Sequence, residues 1–164
     1  MKANIFVAAL LLFFIGCTSQ QSDQLTQQQK DQIKQEVKAA MDSMGAKWVA
    51  LDAEGALQFY SPNMVAVADT SLIDFQVYKM GWHYYTESAA SIKVTTRKMD
   101  YKVLGKDLAF SAWIGKVERV LKSGDKVTTD PQVYTDIYKK VGSQWKIIYE
   151  HGSGVPVTEK AGKR

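Results

Sequence analysis

The sequence predicts one α+β domain behind a short export segment, on three observations. Helical periodicity fills the first half, a short apolar run interrupts it, and the second half is four β-rich stretches parted by turn residues. Helices followed by strands, rather than the two alternating regularly, describe helices packed over an antiparallel sheet.

The first helix begins at a capping box, Thr26 with Gln29. Ile33, Val37, Met41, Met44, Trp48 and Leu51 then recur at steps of four, four, three, four and three, which commits one long stripe to a core. Asp52 is placed to cap a short second helix carrying Leu57, Phe59 and Tyr60, which Ser61-Pro62-Asn63 stops. Met64 to Ala68 is an apolar run bounded by turn residues and predicts a buried strand. Ser71 and Asp74 offer the next cap, and Phe75, Tyr78, Trp82, Tyr85 and Ala89 follow at helical spacing. A helix with four aromatics on one face requires a large apolar partner. Ile92–Leu104, Leu108–Leu121, Lys126–Val141 and Gln144–His151 are separated by short turns, so they predict an antiparallel meander. Pro131 has no N–H for a ladder and predicts a bulge, break or edge within the third stretch.

Ahead of the domain, Lys2 and the apolar run Ile5 to Ile15 have the form of a secretory signal, about half the length a membrane-spanning helix needs. The junction Phe14-Ile15-Gly16-Cys17 resembles the lipobox of bacterial lipoproteins, with Phe14 in place of the usual leucine. That resemblance implies cleavage after residue 16, a lipid on Cys17 and a cell-envelope location. Thr18, not aspartate, follows the cysteine, which favours the outer membrane facing the periplasm. Residues 17–24 then form a polar tether. As the only cysteine, Cys17 leaves the mature chain no internal disulfide, so stability rests on a packed core.

The formal net charge of +4 falls by one with Lys2 and is spread over 21 basic and 17 acidic residues. Scattered lysines give no basic stripe, so no nucleic-acid partner is expected. The one cluster, Lys160, Lys163 and Arg164, reads as a basic disordered tail over residues 158–164. About 140 residues remain after the tether, enough for one core.

The stretch from Trp48 through Asp52, Leu57 and Tyr60, and the ending Trp145-Lys146-Ile147-Ile148-Tyr149-Glu150-His151-Gly152-Ser153, resemble the nuclear transport factor 2-like superfamily, which includes ketosteroid isomerases and SnoaL-like polyketide cyclases. The likeness runs from about Gln27 to Val157, within a domain taken as residues 25–157. It implies a cone: a curved antiparallel sheet wrapped around the long first helix, with two further helices and a pocket at the open end.

Within that cone Asp69, at the end of the buried strand, holds the place of the isomerases' proton-moving carboxylate; Asp69-Thr70-Ser71 is equally a good turn and helix start. No clear donor pair for an enolate oxygen can be named, although Tyr60 or Tyr101 could serve. His151 shares its alternation with Trp145, Ile147 and Tyr149, so it is expected on the core face, as a ligand contact or a satisfied structural histidine, with Glu150 turned away. His83 leaves the aromatic stripe and reads as a surface residue. Trp48, Tyr78, Trp82, Tyr85, Trp113 and Tyr134 either line an aromatic pocket or fill the core, and Trp145 reads as core.

The sequence contains no Gly-rich phosphate loop, paired-histidine metal site, cysteine cluster or nucleophile elbow, so neither cofactor nor metal is expected. The expected function is non-catalytic binding of a small hydrophobic molecule or peptide by a lipid-anchored domain. The alternatives are an isomerase or cyclase using Asp69 as base, and a structural module that forms a homodimer.

Overall fold

The computed structural model describes residues 24–68 and 70–162. The signal segment, Cys17, the tether before Gln24, Asp69, Lys163 and Arg164 lie outside the described residues.

The long helix α1 (Gln27–Val49) starts at the expected capping box: Thr26 Oγ1 accepts from the Gln29 N–H at 3.2 Å, and Gln29 Oε1 accepts from the Thr26 N–H at 2.8 Å. Its stripe buries Ile33, Val37 and Met44. Asp52 caps α2 (Ala53–Leu57) by accepting from the Gly55 N–H at 2.8 Å. This second helix is shorter than expected, because Tyr60 and Ser61-Pro62-Asn63 already belong to strand β1 (Tyr60–Ala68). Pro62 is tolerated there because residues 61–64 fall within a break in the register against the neighbouring strand, where no ladder N–H is required. A short strand β2 (Ser71–Asp74) returns beside β1, so Ser71 is a strand residue. Asp74 alone caps α3 (Phe75–Ser88), accepting from the N–H groups of Gln76 and Val77.

Four long strands follow: β3 (Ala89–Val103), β4 (Leu108–Leu121), β5 (Lys126–Val141) and β6 (Gln144–Ser153). They form the expected antiparallel meander. Two connections escaped the sequence reading. β1 joins the meander parallel to β6, and β7 (Pro156–Glu159) pairs with β5, giving a mixed, curved and unclosed seven-stranded sheet in the order β2-β1-β6-β5-β4-β3. The ordered backbone therefore runs past Val157: the Ala161 N–H and the Lys160 ammonium both bond Asp125 in the β4–β5 turn. Pro131 sits where β5 passes from pairing with β6 (from Val133 onward) to pairing with β7 (up to Thr129), a break of the kind its missing N–H requires. α1 packs against β3, β4 and β6 on the concave face.

Extra residues in β3, β5 and β6 control which side chains reach that face. β4 alternates without interruption, turning Ala109, Ser111, Trp113, Gly115 and Val117 inward. Opposite it, β3 changes phase at Arg97, so Ile92, Val94 and Thr96 hand over to Met99, Tyr101 and Val103. β5 changes phase at Asp130 and Pro131, from Val127 and Thr129 to Gln132, Tyr134, Asp136 and Tyr138. β6 changes at Ile148, from Trp145 and Ile147 to Glu150 and Gly152. Each is a β-bulge: one strand contributes an extra residue, and its later side chains exchange faces.

Candidate functional site

Two apolar clusters flank a hollow inside the cone. One is built on Val37, Met64, Tyr138, Trp145 and Ile147, the other on Ala89, Ile92, Trp113 and Val117. The hollow has a volume of about 1030 Å³, and its lining includes Trp48 from α1, Tyr60 from β1, Tyr78, Trp82 and Tyr85 from α3, Trp113 from β4 and Tyr134 from β5. The helical spacing of α3 and the alternation of the strands aim these rings at one space. Trp48 stands at the centre of the wall, with ring centroids 6.1 Å from Trp82, 6.2 Å from Tyr85 and 6.0 Å from Tyr134. Offset and edge contacts at this separation add to the burial of the rings themselves.

Trp113 is mostly core, its indole N–H held by Thr96 Oγ1 at 2.8 Å, and Trp145 is core as expected, donating to Glu36 Oε2 at 3.0 Å. Tyr101 packs against the first cluster with its hydroxyl 3.0 Å from the Met99 sulfur, and it is not part of the lining. His83 contacts Glu54 at 2.9 Å, away from the hollow.

The last strand requires a correction. His151 does not share a face with Trp145 and Ile147, and Glu150 does not turn away. The bulge at Ile148 reverses the alternation, sending Glu150 into the hollow and His151 to the outer face. Glu150 is only 7% exposed. Its Oε1 accepts from the Tyr78 hydroxyl at 2.5 Å and its Oε2 from the Tyr60 hydroxyl at 3.0 Å, while the two phenol oxygens lie 3.1 Å apart. Each phenol has one proton to give, so two protons serve three oxygen–oxygen contacts. The triangle is fully bonded only when the carboxyl carries the third.

Asp136, across the β5–β6 ladder from Glu150, is 1% exposed. Its Oδ2 accepts from Ser111 at 3.2 Å and Tyr138 at 3.0 Å, and its Oδ1 is buried without a partner. Burial pushes both acids above the usual carboxylate range. Glu150's negative charge raises Asp136 further, whereas the two phenols hold Glu150 partly back. Burial first, and then the neighbouring carboxylate, likewise keep Tyr60 and Tyr78 protonated well beyond an ordinary phenol. Chemically, this is a buried carboxyl able to give or take a proton, held by two phenol donors at the wall of an aromatic-lined cavity.

Asp136 escaped the sequence reading, although Tyr134, Asp136 and Tyr138 alternate onto one face, and an acid between two rings was a usable signal. Asp69 lies outside the described residues. Among the described residues no group of three metal-ligating side chains is placed to hold an ion.

No protein-family model and no curated protein matches the sequence. Solved structures do match the fold. A candidate scytalone dehydratase from Novosphingobium aromaticivorans superposes with a TM-score of 0.73 at 10% identity, over 85% of this chain and 94% of that one. A nuclear transport factor 2-like superfamily protein from Salmonella enterica serovar Typhimurium gives 0.66 at 15% identity, over 76% and 92%. A candidate calcium/calmodulin dependent protein kinase II association domain from Xanthomonas campestris gives 0.63 at 20% identity, over 73% and 86%. At such identities the likeness is one of architecture, and it agrees with the cone built above from helix α1 and the bulged sheet: the chain has the nuclear transport factor 2-like fold.

Proposed function

We propose that the cavity binds a small, largely apolar, ring-bearing molecule and that Glu150 moves a proton on it, as in an isomerisation or a dehydration. One observation carries this reading: a buried carboxyl, bonded by two phenols, faces an aromatic cavity. Binding alone would account for the rings but not for the carboxyl, whose desolvation costs stability. A carboxyl raised above its ordinary range by burial is suited to general acid–base work, and Tyr60 and Tyr78, each donating its one proton to it, hold it in place at the cavity wall. The dehydratase description of one structural neighbour names the same reaction class.

The test is incubation in D2O with a panel of cyclic enones and β-hydroxy ketones, read by mass spectrometry for deuterium at carbon. Exchange that Glu150→Gln abolishes while binding persists is the expected result. Exchange unchanged in Glu150→Gln would sink the assignment, and binding without exchange would leave the non-catalytic function expected from the sequence.

Export and anchoring through a lipid on Cys17, in the outer membrane facing the periplasm, belong to the same proposal. They are supported by the signal-like run and the lipobox-like junction. Growth with an alkyne-bearing palmitate should label the chain, and Cys17→Ser should abolish the label.

A second reading, a homodimer, is favoured by the outer face of the sheet. Val65, Tyr149, Ile137 and Phe110 form one row across β1, β6, β5 and β4, with Val133 and Ile114 in a nearby row. An apolar band on the face away from the helices is the kind of surface a second copy covers. A single monomer boundary in sedimentation at high concentration would end this reading.

A further inference from the structure

Arg119 lies on the inner side of β4, near the far end from Ser111 and Asp136. Its cross-strand neighbours are Ile92 and Val127, both apolar. The guanidinium carbon stands 3.8 Å over the Tyr85 ring, and Nη1 donates to the Tyr85 carbonyl at 3.3 Å. Nε is buried and has no acceptor. Among the described residues no carboxylate pairs with it; the adjacent Glu118 is engaged by Lys116 at 2.8 Å. A guanidinium that lines a cavity without an anion to balance its charge is an arrangement that an entering anion would satisfy.

Arg119 lines the same cavity as Glu150. The aromatic wall connects them: Tyr85 to Trp48 is 6.2 Å between centroids, Trp48 to Trp82 is 6.1 Å, Trp82 to Tyr60 is 6.1 Å, and the Tyr60 hydroxyl bonds Glu150. The cavity therefore has a cation at one end, a carboxyl at the other and rings between.

We infer that Arg119 anchors the anionic end of an elongated apolar carboxylate, whose opposite end reaches Glu150. This inference rests on the proposed binding function and specifies its ligand class. A carboxylate brings a balancing charge and acceptors to the part of the guanidinium that lines the cavity. An alcohol or a neutral ring system would leave that charge unbalanced.

Fluorescence titration of the full chain with 1-pyrenebutanoate and with 1-pyrenebutanol isolates the charge, since the two probes share rings and chain. The acid should bind about tenfold or more tightly than the alcohol, the scale of one charge-assisted hydrogen bond. Arg119→Met should bring the acid down to the alcohol's affinity, Arg119→Lys should keep part of the preference, and His151→Ala, on the outer face, should leave it intact. Equal affinities in the unaltered chain overturn the anchor whether or not Arg119→Met folds, as does a preference that survives Arg119→Met. If neither probe binds, the cavity function falls and the anchor with it; if the alcohol binds with no preference for the acid, only the anchor falls.

Discussion

Asp136 and Glu150 face each other across the β5–β6 ladder, both turned inward and both buried. Two carboxyls in this relation do not readily ionise together, and burial first, then Glu150, raise Asp136 well above the usual aspartate range. Linkage then sets the sign. An acid whose folded pKa lies above its unfolded value holds a proton that the unfolded chain releases. Its contribution to stability is complete below the ordinary aspartate range and is lost as pH rises toward the folded value. Asp136→Asn removes that dependence while keeping an acceptor for Ser111 and Tyr138. The variant should match the unaltered chain near pH 4 and melt a few degrees higher near pH 8, where each kcal/mol corresponds to about 2–4 °C in a domain of this size. Melting curves that stay parallel across this range would refute the raised pKa of Asp136.

The phenols act on Glu150 in the opposite direction. Each donates to the carboxyl and favours its charged form, so removing either hydroxyl should raise the pKa of Glu150 further. Tyr78 makes the shorter contact, 2.5 Å against 3.0 Å, and Tyr78→Phe should therefore shift the titration more than Tyr60→Phe. A 13C titration of the glutamate side-chain carboxyls, with Glu150→Gln identifying the signal, reads the shift directly. A downward shift in either variant would contradict the bonding described.

How much of this was legible in the sequence depended on where the alternation held. The stripe of α1, its capping box, the aromatic face of α3 and the meander could all be read because their periods run unbroken. β4 is the strand equivalent, with Trp113 and Val117 inward as any count by twos would place them. β6 defeats such a count: an extra residue at Ile148 leaves no mark on composition, yet it exchanges Glu150 for His151. The parallel pairing of β1 with β6 was likewise invisible, because pairing across about ninety residues is fixed by the closed core and not by local pattern.

The bulge makes its own prediction. His151→Ala should leave cavity binding unchanged, whereas Glu150→Gln should alter turnover, its pH dependence or both. Comparing the two substitutions in one binding and exchange assay decides which residue the cavity uses. An effect of His151→Ala as large as that of Glu150→Gln would place the histidine inside after all.

Gly152 follows Glu150 on the inward side of β6 by one alternation, directly across from Tyr134. A Cβ added there would stand 2.7 Å from Tyr134 Cε1, closer than carbon atoms approach, and 3.1 Å from its Cδ1, a tight contact. The ring cannot yield freely, since Trp113 lies 5.8 Å and Trp48 6.0 Å from its centroid. Gly152→Ala must therefore push Tyr134 toward the hollow or strain the strand, at a cost of about 1–3 kcal/mol typical of overpacking. Glycine at this position thus keeps open the space beside Glu150. The expected result is a modestly lower melting temperature together with ligand affinity reduced about tenfold or more, because the ring occupies volume that the ligand needs. A variant that loses stability and keeps full affinity would show that the strand, and not the ring, absorbs the collision.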